Sequence, residues 1–306
     1  MVWPGEKRFA FSVFDDTDRA TLENARPVYD LLADLGLRTT KSVWVSPGKE
    51  EHHLAGMTCE DEAYLTWLLD LKARGFEIAL HNVSYGTSSR EETIHGFDRF
   101  RQLFGHDPRT LANHAGTRES IYWYDARLTG PRALLYNMLT GFRSAGRARG
   151  HVEGDPLFWG DICRERVRYV RSFVFPGIDT IRSCPWMPYH DPARPYVNSW
   201  FASSPGGSCA TFAATISERE QDRLEEDGGA CIMYTHFANG FYADGRLNPR
   251  FRQLIERLAK KDGCFLPVGD LLDHIADQRG VVTITPAQRS RMESRWLLRK
   301  ILVGTE

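Results

Sequence analysis

The stretch FAFSVFDDTDRAT, residues 9–21, begins as an apolar run and ends in Asp15, Asp16 and Asp18. The apolar part predicts a buried strand, so the three carboxylates follow directly after a strand end. Like charges this close repel and raise each other's pKa, which makes a purely structural role for them costly. Because buried charges in proteins are paired or coordinate metals, the stretch predicts a compensating partner, and a metal ion is the first candidate.

The composition of the whole chain is that of a globular protein. Its 306 residues are 42% hydrophobic and 26% charged, which is enough for one large core or two modest ones. A net charge of −1 gives no electrostatic reason to expect nucleic acid as a partner. The six cysteines include no Cys-x-x-Cys pair, which argues against a structural zinc site or a disulfide framework and predicts reduced thiols. With no signal-like or membrane-spanning segment in the sequence, we expect a cytoplasmic location.

Predicted strands alternate with predicted helices along most of the chain. The strands are predicted at 9–14, 37–45, 76–80, 109–113, 166–175, 230–235 and 264–268. The helices are predicted at 20–36, 59–74, 89–105, 248–261 and 269–278, the third of them with a capping box at Ser89 and Glu92. Such alternation predicts an α/β fold with a parallel sheet buried on both faces. About seven units favour a closed or nearly closed barrel, and an open doubly wound sheet is the alternative.

The domain organisation follows from where this alternation weakens. Residues 1–280 are predicted to form a single barrel domain with a long central insertion at about 125–229, which includes a helix near 131–140 and a Pro-rich stretch. Residues 281–306 are predicted to form a basic amphipathic helix beyond the barrel. Long loops on a rigid scaffold carry specificity, so we expect the insertion to decide which substrate is bound.

Polar residues follow four of the predicted strands at the point where each strand ends. In a βα barrel these carboxyl ends meet at one face, where functional residues are found. The residues concerned are Asp15, Asp16, His81, Asn113, His114 and His236. Their convergence from four strands predicts one shared site, whereas any of them alone would be unremarkable.

Four short segments in this order resemble the polysaccharide deacetylases of the NodB-homology group. They are FSVFDDTD at 11–18, GFEIALHNVSY at 75–85, LANHAGTRE at 111–119 and MYTHF at 233–237. The resemblance covers residues 8–275, interrupted by the insertion, and its specificity lies in the order of the segments and their position at strand ends. It implies a distorted (β/α)7 barrel of the glycoside hydrolase and deacetylase type.

The resemblance also implies roles for individual residues. Asp15 corresponds to the catalytic base and Asp16 to a metal ligand, which suits neighbours on a strand because their side chains point in different directions. His81 corresponds to a metal ligand and His236 to the general acid, since a histidine can protonate a departing amine near neutral pH. The alternative for His236 is a core histidine bonded to a backbone carbonyl. Asp18 suits the acidic N-terminus of a helix.

The third metal ligand departs from the family pattern. The family supplies a second histidine four residues after the first, but here Tyr85 follows His81 at that spacing, and a phenol is a poor zinc ligand. His114 can complete the ligand set, or it can be a loop histidine bonded to a backbone carbonyl. His52 and His53 are a second source. The resemblance implies a divalent metal, zinc first, with nickel, cobalt, manganese or iron as alternatives.

The implied activity is hydrolysis of an amide, the N-acetyl or N-formyl group of an amino sugar. A nucleotide- or lipid-linked saccharide intermediate of surface polysaccharide biosynthesis suits a cytoplasmic location better than a polymer does. Two other functions stay open. A barrel glycosidase is disfavoured because its two carboxylates lie on opposite sides of the scissile bond, not side by side. A metal-free barrel that only binds carbohydrate is supported by Tyr85.

Three residues of the insertion could contact such a substrate. Trp159 could stack on a sugar ring, and Arg168 and Arg171 could clamp a phosphate or carboxylate. The alternative for each is structural, with the indole in the core and the guanidinium groups in solvent.

The C-terminal stretch TPAQRSRMESRWLLRKILVGTE, residues 285–306, predicts a helix that Thr285 caps and Pro286 begins. Met292, Trp296 and Leu297 recur on one face together with Ile301, and arginines surround them. Such a helix can pack on the barrel or on a second copy of the chain, giving a homo-oligomer. The alternative is weak, salt-sensitive association of 286–303 with an anionic membrane surface.

Overall fold

The computed structural model describes residues 1–50 and 52–303. Its strands are β1 (Phe9–Asp15), β2 (Thr40–Val43), β3 (Glu77–Leu80), β4 (Thr110–Leu111), β5 (Tyr169–Val174), β6 (Tyr189–His190), β7 (Ser199–Ser203), β8 (Ala230–Thr235), β9 (Tyr242–Ala243), β10 (Arg246–Leu247), β11 (Gly263–Phe265) and β12 (Val282–Thr283). Its α-helices are α1 (Leu22–Asp34), α2 (Glu62–Ala73), α3 (Arg90–Phe104), α4 (Pro131–Leu139), α5 (Gly160–Arg166), α6 (Thr180–Ser183), α7 (Cys209–Thr215), α8 (Glu218–Asp227), α9 (Pro249–Ala259), α10 (Val268–Arg279) and α11 (Pro286–Val303). The predicted α/β fold class is confirmed.

Parallel strands form a ring in the order β1-β2-β3-β4-β5-β7-β8. β1 pairs with β2 on one edge and with β8, over six residue pairs, on the other. The ring closes between β7 and β8 through Ser204, whose N–H donates to the carbonyl oxygen of Ile232 at 2.8 Å and whose carbonyl oxygen accepts from the N–H of Tyr234 at 3.0 Å. This ring is the distorted (β/α)7 barrel that the resemblance implies, and the pairing through Ser204 favours it over the open-sheet alternative. The predicted strand at 264–268 is not one of the seven ring strands, because it forms β11, which pairs with β1.

The first strand is central because every one of its side chains is buried. β1 pairs with β8, β2 and β11, and the residues from Phe9 to Phe14 contain no charge. A parallel strand with both faces covered is built from such nearly continuous apolar sequence. The first charged residues of the strand region therefore come only at its carboxyl end.

Local capping signals place several helices where the sequence predicts them. Ser89 and Glu92 form the predicted capping box of α3, and the side chain of Asn248 caps α9 at the predicted Asn-Pro start. These side chains accept hydrogen bonds from N–H groups that have no partner within the helix.

β7 is a strand of the ring that the sequence analysis does not predict. It lies in the stretch assigned to the insertion, and its five residues, SWFAS, are too few to show a clear period. The ring therefore contains both β5 and β7, each preceded by an irregular excursion, at about 112–168 and 175–198. The first of these excursions carries α4 and α5.

The C-terminal helix α11 packs on its own chain. Its predicted cap forms, with the Gln288 N–H donating to Thr285 Oγ1 at 3.2 Å. Met292, Trp296 and Leu297 are buried, whereas Ile301 is exposed. Residues 304–306 of the predicted helix lie outside the described residues. Within the described ranges, none of the helices combines the length and the apolar content that crossing a membrane requires.

Candidate functional site

Asp18 and three histidines meet at the carboxyl ends of the barrel strands. Oδ2 of Asp18 lies 3.0 Å from Nε2 of His236 and 3.3 Å from Nε2 of His81, and Oδ1 lies 3.1 Å from Nδ1 of His114. The two ring nitrogens of His81 and His114 are themselves 3.1 Å apart. All are buried except His236, whose side chain is 19% exposed.

The loop after each strand sets these positions. Asp18 lies in a turn in which the Ala20 N–H donates to the Thr17 carbonyl oxygen at 2.9 Å, ahead of the Thr21 cap of α1. The sequence analysis placed Asp18 at the N-terminus of a helix, but in the structure Asp18 lies in the turn before α1. The carbonyl oxygen of His114, after β4, accepts from the hydroxyls of Thr117 and Ser120. These bonds fix the backbone that carries the imidazole.

The donor set fits a divalent metal ion. One ligand atom from each of Asp18, His81 and His114 can be chosen so that all lie within 4.8 Å of one another, and Asp16, Asp18 and His236 form an overlapping group. The ring nitrogens that converge on Asp18 are Nε2 of His81 and Nδ1 of His114. Within the described ranges, the opposite nitrogens of these two rings are buried without a hydrogen-bond partner. One carboxylate and two imidazoles are the ligands that catalytic zinc sites use.

The protonation states suit this interpretation. Burial by itself would raise the pKa of the Asp18 carboxyl, but the surrounding histidines hold that pKa well below its usual value. Burial lowers the pKa of His114, which favours the neutral imidazole that binds metals. For His236, burial opposes the charged form, but the hydrogen bond to Asp18 and the charge of Asp16 raise its pKa to about 9.

Asp16 lies beside this cluster and is held by an arginine. Its two carboxylate oxygens accept from Nη1 and Nη2 of Arg171, on β5, at 2.7 and 2.5 Å. Asp16 lies 3.9 Å from Nδ1 of His81 and 4.0 Å from Nε2 of His236. Burial by itself would raise the pKa of Asp16, but the charge and hydrogen bonds of Arg171, together with His81 and His236, lower that pKa. The metal-ligand role of Asp16 stays a prediction, and the bound guanidinium competes with it.

Asp15 lies outside the cluster. Its Oδ2 accepts from Lys41 Nζ at 2.9 Å and from the Tyr29 hydroxyl at 3.0 Å, and its Oδ1 accepts from the Phe237 N–H at 2.7 Å. Because neighbours on a strand point to opposite faces, Asp15 points toward α1 when Asp16 points into the barrel. The pair at the site is therefore Asp16 and Asp18, not Asp15 and Asp16 as the sequence analysis expected. None of the three donors to Asp15 belongs to the cluster of Asp18 and the histidines.

The remaining predicted residues lie around the cluster or away from it. The His52 ring is 5.3 Å from that of His114, and Tyr85 packs edge-on against Trp44, which also contacts both His81 and His114. Asn113 instead exchanges two hydrogen bonds with the backbone of Ile121. His52, Tyr85 and Trp44 therefore form an aromatic wall beside the candidate ligands.

The three insertion residues have structural roles in this arrangement. Trp159 is buried and donates its indole N–H to the Glu119 carbonyl oxygen at 2.6 Å, and Arg168 pairs with Asp273 at 2.8 Å. Arg171 is occupied by Asp16. A signal for Arg171 was present in the sequence, because a cation inside the apolar strand β5 needs a buried carboxylate partner.

Comparison with solved structures gives the same fold in two proteins named as polysaccharide deacetylases. The protein from Mycobacterium smegmatis is 13% identical, with 93% of this chain and 96% of that chain covered and a TM-score of 0.54. The protein from Pseudomonas aeruginosa PAO1 is 12% identical, with 91% and 94% covered and a TM-score of 0.50. The chain has the polysaccharide deacetylase fold.

Puue allantoinase shares this fold as well, at 12% identity, with 92% of this chain and 94% of that chain covered and a TM-score of 0.51. The chain matches no protein-family model and none of the curated proteins. At this level of identity the structural likeness concerns the fold, so the chemistry has to be argued from the residues of the site.

Proposed function

We propose that the protein is a metal-dependent amide hydrolase that removes an N-acyl group, acetyl or formyl, from an amino sugar. The observation that carries the proposal is the convergence of Asp18, His81 and His114 in a buried cluster at the carboxyl ends of the barrel strands. Functional residues of βα barrels lie at this face. The names of the two bacterial proteins with this fold support an acylated sugar as the substrate class.

Asp18, His81 and His114 would hold the ion, with zinc expected first because the set combines one carboxylate with two imidazoles. A bound divalent ion of this kind supplies a Lewis acid that polarises the amide carbonyl of the substrate. The neutral imidazole of His114 and the ionised carboxylate of Asp18 are already in their ligand states near neutral pH.

Asp16 is the base in this proposal. Its bidentate contact with Arg171 fixes the carboxylate in one orientation beside the ligands and keeps it ionised. A fixed carboxylate can accept a proton from the attacking water without first having to be oriented. Asp15 then has the separate task of joining β1 to Lys41 and α1.

His236 is the acid. Its Nδ1 donates to the carbonyl oxygen of Gly207 at 3.0 Å, which directs Nε2 toward the carboxylates of Asp16 and Asp18. A pKa of about 9 means that the ring carries a proton near neutral pH and can give it to the departing nitrogen. Its partial exposure makes it the member of the cluster that a substrate can reach.

A phosphate clamp by Arg168 and Arg171 is not supported, because both guanidinium groups are paired with carboxylates. A nucleotide- or lipid-linked saccharide in the cytoplasm stays the proposed substrate. The free, buried state of all six cysteines is compatible with a reducing compartment.

The test measures metal content and deacylation together. The purified protein is loaded separately with zinc, manganese, cobalt, nickel or iron(II) and incubated with nucleotide-linked N-acetyl and N-formyl amino sugars and with chitin oligomers. We expect stoichiometric metal and release of acetate or formate, both lost after chelation. Asp18→Asn should lose metal and turnover, whereas Asp16→Asn should keep metal and lose turnover by about a hundredfold or more.

The alternatives give different results in the same experiment. Saccharide binding without metal or acid release would indicate the metal-free barrel, and release of a reducing sugar without acid would indicate a glycosidase. Circular dichroism of each variant shows whether it is folded. Equal metal loss in Asp16→Asn and Asp18→Asn would overturn the assignment of Asp16 as the base and Asp18 as the metal ligand.

A further inference from the structure

Exposed apolar side chains are concentrated on two neighbouring helices. In the described part of the chain, eight of the twelve large apolar side chains that are exposed lie on α4, just after it, or on the last turns of α11. They are Leu134, Leu135, Met138, Leu139, Phe142, Leu298, Ile301 and Leu302. Scattered exposed leucines are ordinary, but a cluster of this kind marks an interaction surface. We call these eight residues the α4–α11 surface.

The two helices lie side by side and run in the same direction. Arg132, at the start of α4, donates to Ser294 Oγ at 2.8 Å, and further along, Tyr136 contacts the Trp296 ring with centroids 5.8 Å apart. Nζ of Lys300 lies 4.9 Å above the same tyrosine ring. The carboxyl-terminal ends of both helices, which carry most of the exposed apolar side chains, are therefore neighbours.

The same segments are strongly basic. Residues 131–150 contain four arginines and no acidic residue, although the chain as a whole has a net charge of −1. The helix α11 contains five basic residues, of which Arg289 is paired with Asp191, and one acidic residue, Glu293, which is buried and paired with Arg194. Arg291 precedes Leu298 and Leu302 by seven and eleven residues, so the three lie on one helix face. Exposed Arg143 directly follows Phe142.

We propose that the α4–α11 surface binds an anionic membrane surface, with the apolar side chains in the interfacial region and arginines such as Arg143 and Arg291 at the lipid phosphates. Helices with an apolar face bordered by basic residues bind membranes in this way. A second copy of the chain is disfavoured as the occupant, because a symmetric contact would bring two cationic surfaces together.

The surface adjoins the candidate active site. Arg147, in the segment after α4, donates to the carbonyl oxygen of Gly116 at 2.7 Å. Gly116 lies two residues after the candidate ligand His114. Membrane binding would thus bring the site close to the lipid headgroups. That consequence rests on the proposed function and suits a lipid-linked amino sugar, whereas the membrane binding itself is independent of catalysis.

The test is flotation of the full chain with vesicles of phosphatidylcholine and phosphatidylglycerol, compared with vesicles of phosphatidylcholine alone. We expect binding to the anionic vesicles that weakens as salt is raised. Phe142→Asp should lower the partition coefficient by about tenfold or more, since it puts a charge where an exposed aromatic ring would enter the interfacial region. The matched control is Leu69→Asp, at an exposed leucine on α2, which should bind like the unchanged protein.

Charge reversal gives a second, independent variant. Arg143→Glu combined with Arg291→Glu should lower binding to anionic vesicles by more than about tenfold, since each basic residue near the surface contributes about fivefold. Arg219→Glu, at an exposed arginine of α8, is the control. Equal flotation of all variants, or no flotation of the unchanged protein, would overturn the proposal. A dimer in light scattering that Phe142→Asp abolishes would assign the surface to a second copy instead.

Discussion

Three aspartates within four residues have three different environments. Asp15 is bonded to Lys41 and Tyr29, Asp16 to Arg171, and Asp18 lies among the histidines. The sequence predicts that carboxylates follow β1, but it does not show which of them points into the barrel. Which carboxylate points inward depends on how side chains alternate along β1 and on the turn after the strand. A shift of one residue would exchange the side chains that point into the barrel with those that point out of it.

Asp15 and Asp18 should therefore respond differently to the same substitution. We expect Asp18→Asn to lose bound metal, because the amide removes the charged ligand from the candidate set. Asp15→Asn should keep the metal but lower the free energy of unfolding by about 3–5 kcal/mol, since it leaves the buried ammonium of Lys41 without its counter-charge. Metal analysis and urea unfolding of both variants check this, and metal loss in Asp15→Asn would contradict it.

The buried carboxyl of Glu119 makes stability depend on pH. Burial raises its pKa from 4.5 to about 8. Protonated Glu119 contributes its full stabilising effect at a pH below its pKa in the unfolded chain. This effect is lost as the pH rises through its pKa in the folded protein. Between these values the free energy of unfolding should fall by up to about 1.4 kcal/mol per pH unit.

Glu119→Gln should remove this dependence, because an amide does not titrate. The variant should therefore become more stable relative to the unchanged protein as the pH rises from 5 to 8. Urea unfolding of both proteins across this range measures the two free energies. Glu60→Gln, at an exposed glutamate, is the control and should leave the pH dependence unchanged. A parallel pH dependence in Glu119→Gln and the unchanged protein would show that Glu119 is not the group responsible.

At the level of the elements, local signals predict helices better than short strands. The Ser89 and Thr285 caps depend on residues three positions apart, so the sequence displays them directly. β7 has only five residues and owes its place to pairing with β5 and to Ser204 beside β8. Because such pairing joins residues that are distant in the sequence, no local sequence pattern predicts it.

A buried acidic residue of helix α11 joins that helix to the barrel. Glu293 accepts from Arg194 at 2.9 Å and from the Thr129 hydroxyl at 2.8 Å. Glu293→Ala should lower the free energy of unfolding by about 3–5 kcal/mol, since it leaves the buried Arg194 with one carboxylate partner fewer. Glu226→Ala, at an exposed glutamate of α8, is the control, and thermal unfolding measures both. A change of less than about 1 kcal/mol in Glu293→Ala would show that the Glu293–Arg194 pair contributes little to stability.

At the scale of the whole molecule, the candidate site joins parts of the barrel that are far apart in the sequence. Asp18 follows β1, His81 follows β3, His114 follows β4 and His236 follows β8. The sequence predicts this convergence, because carboxyl ends of parallel strands share one face of a barrel. It does not predict which atoms meet, since that depends on the turns after each strand and on cations such as Arg171 that come from elsewhere in the chain.

Because the ligands come from three strand ends, metal binding should stabilise the whole barrel. Each ligand is buried, and an unfolded chain does not hold the three together, so the ion binds the folded state preferentially. Zinc at about a hundred times its dissociation constant should add about 2.7 kcal/mol, which corresponds to a rise in melting temperature of several degrees. Calorimetry of the protein with zinc and after chelation measures the shift. Magnesium is the control ion, because it prefers oxygen ligands and should produce little change. Asp18→Asn should show no zinc-dependent shift, and a shift equal to that of the unchanged protein would place the ion elsewhere in the molecule.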